Sequence, residues 1–322
     1  YEAMYDEKLP WTHDTYLKMF WDKGFELPYG HICFDEIQDA SPVMVDIIMR
    51  QSGTKFFIGD EHQQIYSFRH AVDTIAQIDL PDLPLTASFR FGDSIASAAN
   101  SILRKKESLG ITTHLSTVKG AYAAETQKSN GHSAVIARTN MGLLRTAVKL
   151  ISSGHRAAQK LYFEGDLRSY QVTDGGIEVT DILNLFLGSR PDIRNPTLKA
   201  MSSYDDLKSY ANDISDYSLL TLMELVETHK SELPGLLKEF KRRSVNSDHK
   251  DKATLVLTTA HKAKGLEYDE VILDQDFPSF PEVAALYEVP GTRVRAIELL
   301  NLVYVAITRS KGVAMVPAYL VE

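Results

Sequence analysis

The sequence has 322 residues, 44% hydrophobic and 24% charged, a globular composition long enough for two or three packed cores at roughly 100 to 200 residues per domain. Its single cysteine, Cys33, excludes a disulfide framework and a cysteine-rich zinc site, and no run approaches the roughly 20 apolar residues that cross a bilayer, which argues against secretion and membrane insertion. A net charge of -8 excludes nucleic-acid binding through a general positive field, so any such site must be a local groove; a reducing cytoplasm or a nucleus is the expected setting.

In chain order, the first apolar run, Ile32 to Phe34, reads as a buried strand that ends in Asp35-Glu36-Ile37-Gln38-Asp39. Two carboxylates at the C-terminal edge of a parallel sheet stand where ligands of doubly wound folds bind. An isolated Asp-Glu reads equally well as an acidic turn. Helical spacing over Val43 to Arg50 leads to a strand at Phe56 to Ile58 and then to Gly59-Asp60-Glu61-His62-Gln63-Gln64-Ile65-Tyr66-Ser67-Phe68-Arg69-His70-Ala71, a specific string. Its aromatics Tyr66 and Phe68 suit either a core or a platform for any base, at roughly 1 to 3 kcal/mol per stacked base.

Leu85-Thr86-Ala87-Ser88-Phe89-Arg90 follows, ending on an arginine whose planar fork can meet phosphate oxygens in two directions. A helix is predicted over Asp93 to Lys105, then a strand over Ala134 to Ala137, the turn Arg138-Thr139-Asn140 and a helix over Gly142 to Ser152. Strands alternating with helices predict an α/β fold with a parallel sheet. From about Gly188 to Asp251 the pattern turns polar and helical, with the basic cluster Lys241-Arg242-Arg243, which predicts an inserted helical subdomain.

Strand character returns at Leu255 to Leu257, before Thr259-Ala260-His261-Lys262-Ala263-Lys264-Gly265-Leu266-Glu267-Tyr268. Neutral donors such as Thr259 and His261 can hold backbone phosphates, which position a strand without selecting its sequence. After a strand at Val271 to Leu273, the helix Arg293 to Thr308 carries the apolar stripe Leu299, Leu300, Val303 and Ile307. It runs into Arg309-Ser310-Lys311, and a last strand is predicted at Val313 to Val316.

Taken in order, these strings resemble motifs II, III, IV, IVa, V and VI of the UvrD-like superfamily-one DNA helicases, over most of residues 31 to 311. The resemblance implies two RecA-like doubly wound parallel-sheet domains, the first incomplete, with a small helical insertion. It divides the chain into the C-terminal part of domain 1A at 1–84 (with a tail of 1B at 1–28), domain 2A at 85–187 and 253–322, and a 2B-like insertion at 188–252. The implied activity is ATP- and Mg²⁺-dependent translocation along single-stranded DNA, 3′ to 5′, opening single-strand/duplex junctions in repair or recombination.

The same resemblance implies a role for each motif residue. Asp35 holds Mg²⁺ and Glu36 orients or deprotonates the attacking water, while Gln63, Arg90 and Arg309 meet the γ-phosphate. Phe89 covers adenine, and Glu267, in the loop of Gly265, meets the ribose. Tyr66 and Phe68 stack on bases with Arg69 as polar support, and Asn140, Thr259 and His261 touch the DNA strand. Thr12 to Lys18, with Ser88-Phe89-Arg90-Phe91-Gly92 and the short insertion, is similar to the F-box DNA helicase branch, although no F-box is visible.

A P-loop motor also needs Gly-x-x-x-x-Gly-Lys-Ser/Thr, whose amides cradle phosphates while its lysine bridges them. The sequence contains no Gly-Lys dipeptide. The family places that loop upstream of motif II and the chain begins at Tyr1, so the expectation is an N-terminally truncated motor, inactive as an ATPase alone. Two other readings remain: a non-catalytic DNA-binding or regulatory module derived from such a motor, and the helicase part of a helicase-nuclease.

Overall fold

The computed structural model describes residues 2–6, 8–66, 81, 83–111, 113–121, 133–173, 175–214 and 216–322. Helices α1 (Glu2–Tyr5) and α2 (His13–Lys23) precede strand β1 (His31–Phe34), helix α3 (Pro42–Met49) and strand β2 (Thr54–Phe57). The two strands pair in parallel, with Phe34 opposite Phe57. The expected strand at Phe56 to Ile58 therefore starts earlier and ends a residue sooner. Ile58 has left the strand, and its amide and carbonyl bind Phe34 O and the Ile37 amide across the turn after β1.

A second small pair, β3 (Ala87–Ser88) and β4 (Lys119–Gly120), brackets helix α4 (Asp93–Ser108). The chain then alternates β5 (Ser133–Ala137), α5 (Asn140–Ser152) and β6 (Leu161–Phe163) before five helices in succession: α6 (Val179–Phe186), α7 (Pro196–Ala200), α8 (Tyr204–Asp213), α9 (Tyr217–His229) and α10 (Leu233–Arg243). It returns through β7 (Ser244–Val245), β8 (Leu255–Thr259), α11 (Ala260–Ala263), β9 (Tyr268–Leu273), α12 (Phe280–Glu288), α13 (Arg293–Ile307), β10 (Ser310–Met315) and α14 (Ala318–Val321). Helical character thus begins at Val179, ahead of Gly188, because α6 is apolar enough to look like a core helix rather than part of a polar insertion.

The main sheet has six strands in the order β10-β9-β5-β8-β6-β7, and every adjacent pair is parallel. β5 and β8 lie at its centre and are buried almost throughout, which is why their sequences are unbroken apolar runs rather than alternating ones. Successive side chains of a strand face opposite ways. Val135, Ala137, Leu255 and Leu257 accordingly join α5, α6, α9 and α10 in one core, whereas Ala134, Ile136 and Val256 join α4 and α13 in the other. The helical block therefore covers one face of the sheet, with α9 and α10 packed on α5. The architecture is α/β with parallel sheets, as expected.

The arrangement brings loop ends together. Ala137 stands in register with Thr259, so the turns after β5 and β8 emerge side by side at the C-terminal edge of the sheet. That edge is where open α/β sheets receive ligands.

Candidate nucleotide and nucleic-acid site

At the end of β1, Asp35 and Glu36 are exposed, and Glu36 takes a left-handed backbone at φ 54°, uncommon for a residue with a side chain. Backbone strain of this kind concentrates at functional turns. The Glu36 amide donates to Asp35 Oδ1 at 2.9 Å, and the buried Gln38 amide group donates to the Glu36 carboxylate. Gln38 Oε1 in turn accepts the Asp60 amide at 3.0 Å. A Cβ on Gly59 would lie 2.6 Å from Gln38 Oε1 and from Ile37 Cγ2, so glycine is required where the two turns touch.

The chemistry of these donors fits Mg²⁺, which keeps most of its water and is held by one or two carboxylates together with phosphate oxygens. Among the described residues no group of three or more His, Cys, Asp or Glu could hold a metal by itself, so phosphate would have to complete the shell.

Lys264, only 8% exposed at its side chain, reaches this cluster from the loop after α11. It donates to Gln63 O at 2.8 Å and to Asp39, and lies 3.7 Å from Glu36. Gly265, at φ +81°, makes the turn that separates Lys264 from Glu267.

Gln63 Nε2 donates to Asp60 Oδ2 at 2.8 Å, and Gln63 Oε1 accepts from Arg309 Nη2 at 3.3 Å. Arg309 is 1% exposed, and among the described residues its hydrogen bonds go only to neutral oxygens: Val305 O at 3.1 Å, Thr308 Oγ1 at 3.2 Å and Gln63 Oε1. Burial first, and then the positive charge of Arg90, pushes its guanidinium down to about 10. Arg90 donates to Glu267 Oε1 at 2.7 Å and to Thr308 O at 3.3 Å. Phe89 stands 81% exposed beside it. Glu267 pairs with Arg90, and the carboxylates of Glu267 and Asp60 favour the charge of Arg309 without hydrogen-bonding to it among the described residues.

The Tyr66 hydroxyl donates to His261 O at 3.2 Å, the two rings lie 5.9 Å apart, and the Lys264 ammonium sits 5.3 Å from the Tyr66 ring centre. Phe68 and Arg69 lie outside the described residues. His261 also borders a cleft of about 280 Å³ at the ends of β5 and β8, lined by Arg138, Asn140, Ser218, Thr259 and Lys262 among others, with no carboxylate in its lining among the described residues. Lys262 donates to Tyr170 OH at 3.1 Å and to Asn140 Oδ1 at 3.4 Å, and burial lowers its pKa. Three of the six residues expected to contact DNA, Asn140, Thr259 and His261, thus line one cleft.

Asp276, from the loop after β9, fixes the cleft's floor. Its carboxylate accepts the Arg138 amide at 2.7 Å and both the amide and hydroxyl of Thr139 at 2.8 Å, while Arg138 Nε donates to Asp276 O at 3.0 Å. A Cβ on Gly142 would stand 2.3 Å from Asp276 Oδ2. Alanine favours a helix by about 1 kcal/mol over glycine, but here the carboxylate is held by three donors and cannot withdraw. Gly142→Ala is expected to lower stability by about 1–3 kcal/mol, read from urea unfolding; a gain would show that the bracket gives way easily.

Beneath these turns, His62, Lys106 and Asn301 form a polar cluster, each 2% exposed or less. Lys106 Nζ donates to His62 Nδ1 at 2.7 Å and to Asn301 Oδ1, and His62 Nε2 donates to Leu115 O at 2.7 Å. Asn301 Nδ2 donates to Gln64 O at 2.7 Å and Glu61 O at 3.2 Å. The cluster ties the turn carrying Gln63 to α4 and to α13, the helix that leads into Arg309.

Sequence reasoning did not assign Gln38, Lys262, Lys264, Asp276, Lys106 or Asn301. Gln38, Lys262, Lys264 and Asn301 stood inside recognised strings. Lys106 and Asp276 have partners remote in sequence and carry no local signal.

Residues 194–316 match the family model of the UvrD-like helicase C-terminal domain, and residues 22–80 match that of the UvrD/REP helicase N-terminal domain. The chain is similar to F-box DNA helicase protein 1 of Schizosaccharomyces pombe, 31% identical over 328 residues that cover 94% of this chain and 36% of that protein. It is also similar to F-box DNA helicase 1 of Gallus gallus, 30% identical over 324 residues that cover 95% of this chain and 31% of that protein. The chain spans about a third of the length of the curated relatives it matches.

Proposed function

Because the chain belongs to the UvrD-like helicase family, we propose that it supplies most of an ATP-driven motor that moves 3′ to 5′ along single-stranded DNA and opens single-strand/duplex junctions in repair or recombination. Residues 1–84 belong to the first motor domain, 85–187 and 253–322 to the second, and 188–252 to a helical insertion. The setting is the cytoplasm or nucleus; among the described residues no helix is long and apolar enough to cross a membrane.

The observation that carries this reading is the buried Arg309 beside Arg90 and Gln63, a guanidinium whose hydrogen-bond partners among the described residues include no negative charge. A γ-phosphate supplies that charge. Arg90 and Arg309 would then stabilise the charge that develops during phosphoryl transfer. Glu36 would orient or deprotonate the attacking water, and Asp35 would hold Mg²⁺, which would supply neutralisation of phosphate charge. Phe89 covers the adenine and Glu267 meets the ribose. Tyr66 stacks on a base, with Phe68 and Arg69 assigned to the same strand path, while Asn140, Thr259 and His261 position the phosphates.

The test is ATP hydrolysis by the longer protein with single-stranded DNA present. Glu36→Gln should lower kcat by about 10²- to 10⁴-fold, the usual contribution of a positioned base, and leave DNA affinity in place. Undiminished turnover would overturn the role of Glu36. A longer protein with no turnover of its own would instead favour a non-catalytic DNA-binding module. The 322-residue chain alone, whose sequence has no Gly-Lys dipeptide, is expected to hydrolyse no ATP.

A further inference from the structure

The cleft at the ends of β5 and β8 receives side chains from the helical block as well as from the motif loops, because Ser218 of α9 forms part of its wall. Asp216 caps α9 by accepting the Leu219 amide at 3.0 Å, which makes Tyr217 the first helical residue. The inward side of α9 is apolar and closed, with Leu219, Leu222, Met223, Leu225 and Val226 at 2% exposure or less. Tyr217 is not part of that face and stays 57% exposed. Its ring centre lies 5.9 Å from the Arg138 guanidinium, whose Nε is anchored on Asp276 O.

A single strand of nucleic acid offers phosphates along one side and aromatic faces along the other. Proteins that follow it without reading sequence combine a cationic groove with aromatic platforms. In this chain of net charge -8, Arg138, His261 and Lys262 gather on one cleft without a carboxylate in its lining among the described residues. Tyr66 flanks that cleft beside His261, and Tyr217 flanks it beside Arg138. The two aromatics come from different parts of the chain and bracket the same cleft.

We propose that Tyr217 is a base-stacking platform, contributed by the helical block, that lengthens the single-stranded DNA path beyond the motif residues, with Arg138 holding the adjoining phosphate. The proposal rests on the cleft being the path of a DNA strand. It gives the helical block a direct hold on the strand, so that movement of the block would be felt at the DNA.

The experiment uses the 322-residue chain and fluorescence anisotropy with two labelled probes of equal length, an oligothymidylate and its fully abasic counterpart. Tyr217→Ala should weaken oligothymidylate binding about five-fold or more, Tyr217→Phe should bind close to the unaltered chain, and both should bind the abasic probe as the unaltered chain does. Tyr210→Ala serves as the control, since Tyr210 is also exposed and takes no part in the cleft lining. Unchanged oligothymidylate binding by Tyr217→Ala, or an equal loss on both probes, would overturn the proposal while leaving the cleft assignment standing. Absence of binding by the unaltered chain would overturn both.

Discussion

Replacing Arg309 by methionine is expected to leave the chain at least as stable as before, and to lower ATP hydrolysis by the longer protein about a thousandfold or more. The two halves of the result come from one cause. Arg309 is nearly inaccessible, its hydrogen bonds among the described residues reach only neutral oxygens, and the neighbouring charge of Arg90 works against it. Burial of the guanidinium carries a desolvation cost that a hydrophobic residue of similar size avoids, and this saving offsets the donors lost by Val305 O, Thr308 Oγ1 and Gln63 Oε1. What methionine cannot supply is the permanently charged fork, and arginines that complete phosphoryl-transfer sites are worth about 10³- to 10⁵-fold in kcat. Urea midpoints of the 322-residue chain and steady-state turnover of the longer protein check the two halves separately. A clear loss of stability would make Arg309 a structural residue, and retained turnover would remove it from the chemistry.

The cluster of Lys106, His62 and Asn301 should respond in the opposite way. Asn301→Leu keeps the branched shape but strips one acceptor from the buried Lys106 ammonium and leaves Gln64 O and Glu61 O without that donor. Leaving a buried polar group without its partner costs about 1–3 kcal/mol, and more where the group is charged, whereas removing both partners together can be nearly neutral. Urea unfolding should therefore show a large loss for Asn301→Leu and a smaller one when Lys106→Met is added. A double-variant loss equal to the sum of the separate Asn301→Leu and Lys106→Met losses would mean that the two positions are not coupled.

A pH dependence accompanies this cluster. Burial pushes Lys106 down to about 8, outweighing the opposing pull of Asp60 and Glu61, while an unfolded lysine stays near its ordinary value of about 10.4. Between those two values the unfolded chain binds the extra proton, so stability rises with pH across that window. Below pH 8 both states are protonated and the slope vanishes. Lys106→Met should abolish the rise, and comparison of urea midpoints at pH 7 and pH 9.5 tests it. His62 is held neutral by the same burial and by the ammonium beside it, and because Nε2 donates to Leu115 O, Nδ1 must be the acceptor for Lys106.

How much of this was legible in the sequence depends on how local each feature is. The central strands could be seen because double burial writes an unbroken apolar run. Strands β3, β4 and β7, two residues each, leave no pattern, and β6, three residues long, was passed over as well. That Asn140, Thr259 and His261 share one role was implied by the resemblance; that they line one cleft follows from parallel strands β5 and β8, which set their C-terminal turns side by side. Asp276 was invisible, because an aspartate after a strand has no feature that says it will receive three donors from residues 138 and 139. Lys106 was hidden for a related reason: it lies on a helix with ordinary lysine spacing, and only the fold turns it inward between His62 and Asn301.

The placement of β8 next to β5 has a consequence for synthesis. Leu255 follows Ala137 by about 120 residues, and β9, the other neighbour of β5, comes later still. At about 5–20 residues per second on the ribosome, the most apolar strand of the sheet waits on the order of 6–24 s before either partner exists. Helix α5 and the helices of the inserted block emerge in that interval and pack on the same face that β5 later shares. The block would thus shelter one apolar face of a nascent, unpaired strand before any strand joins it, a service performed once in the life of each molecule.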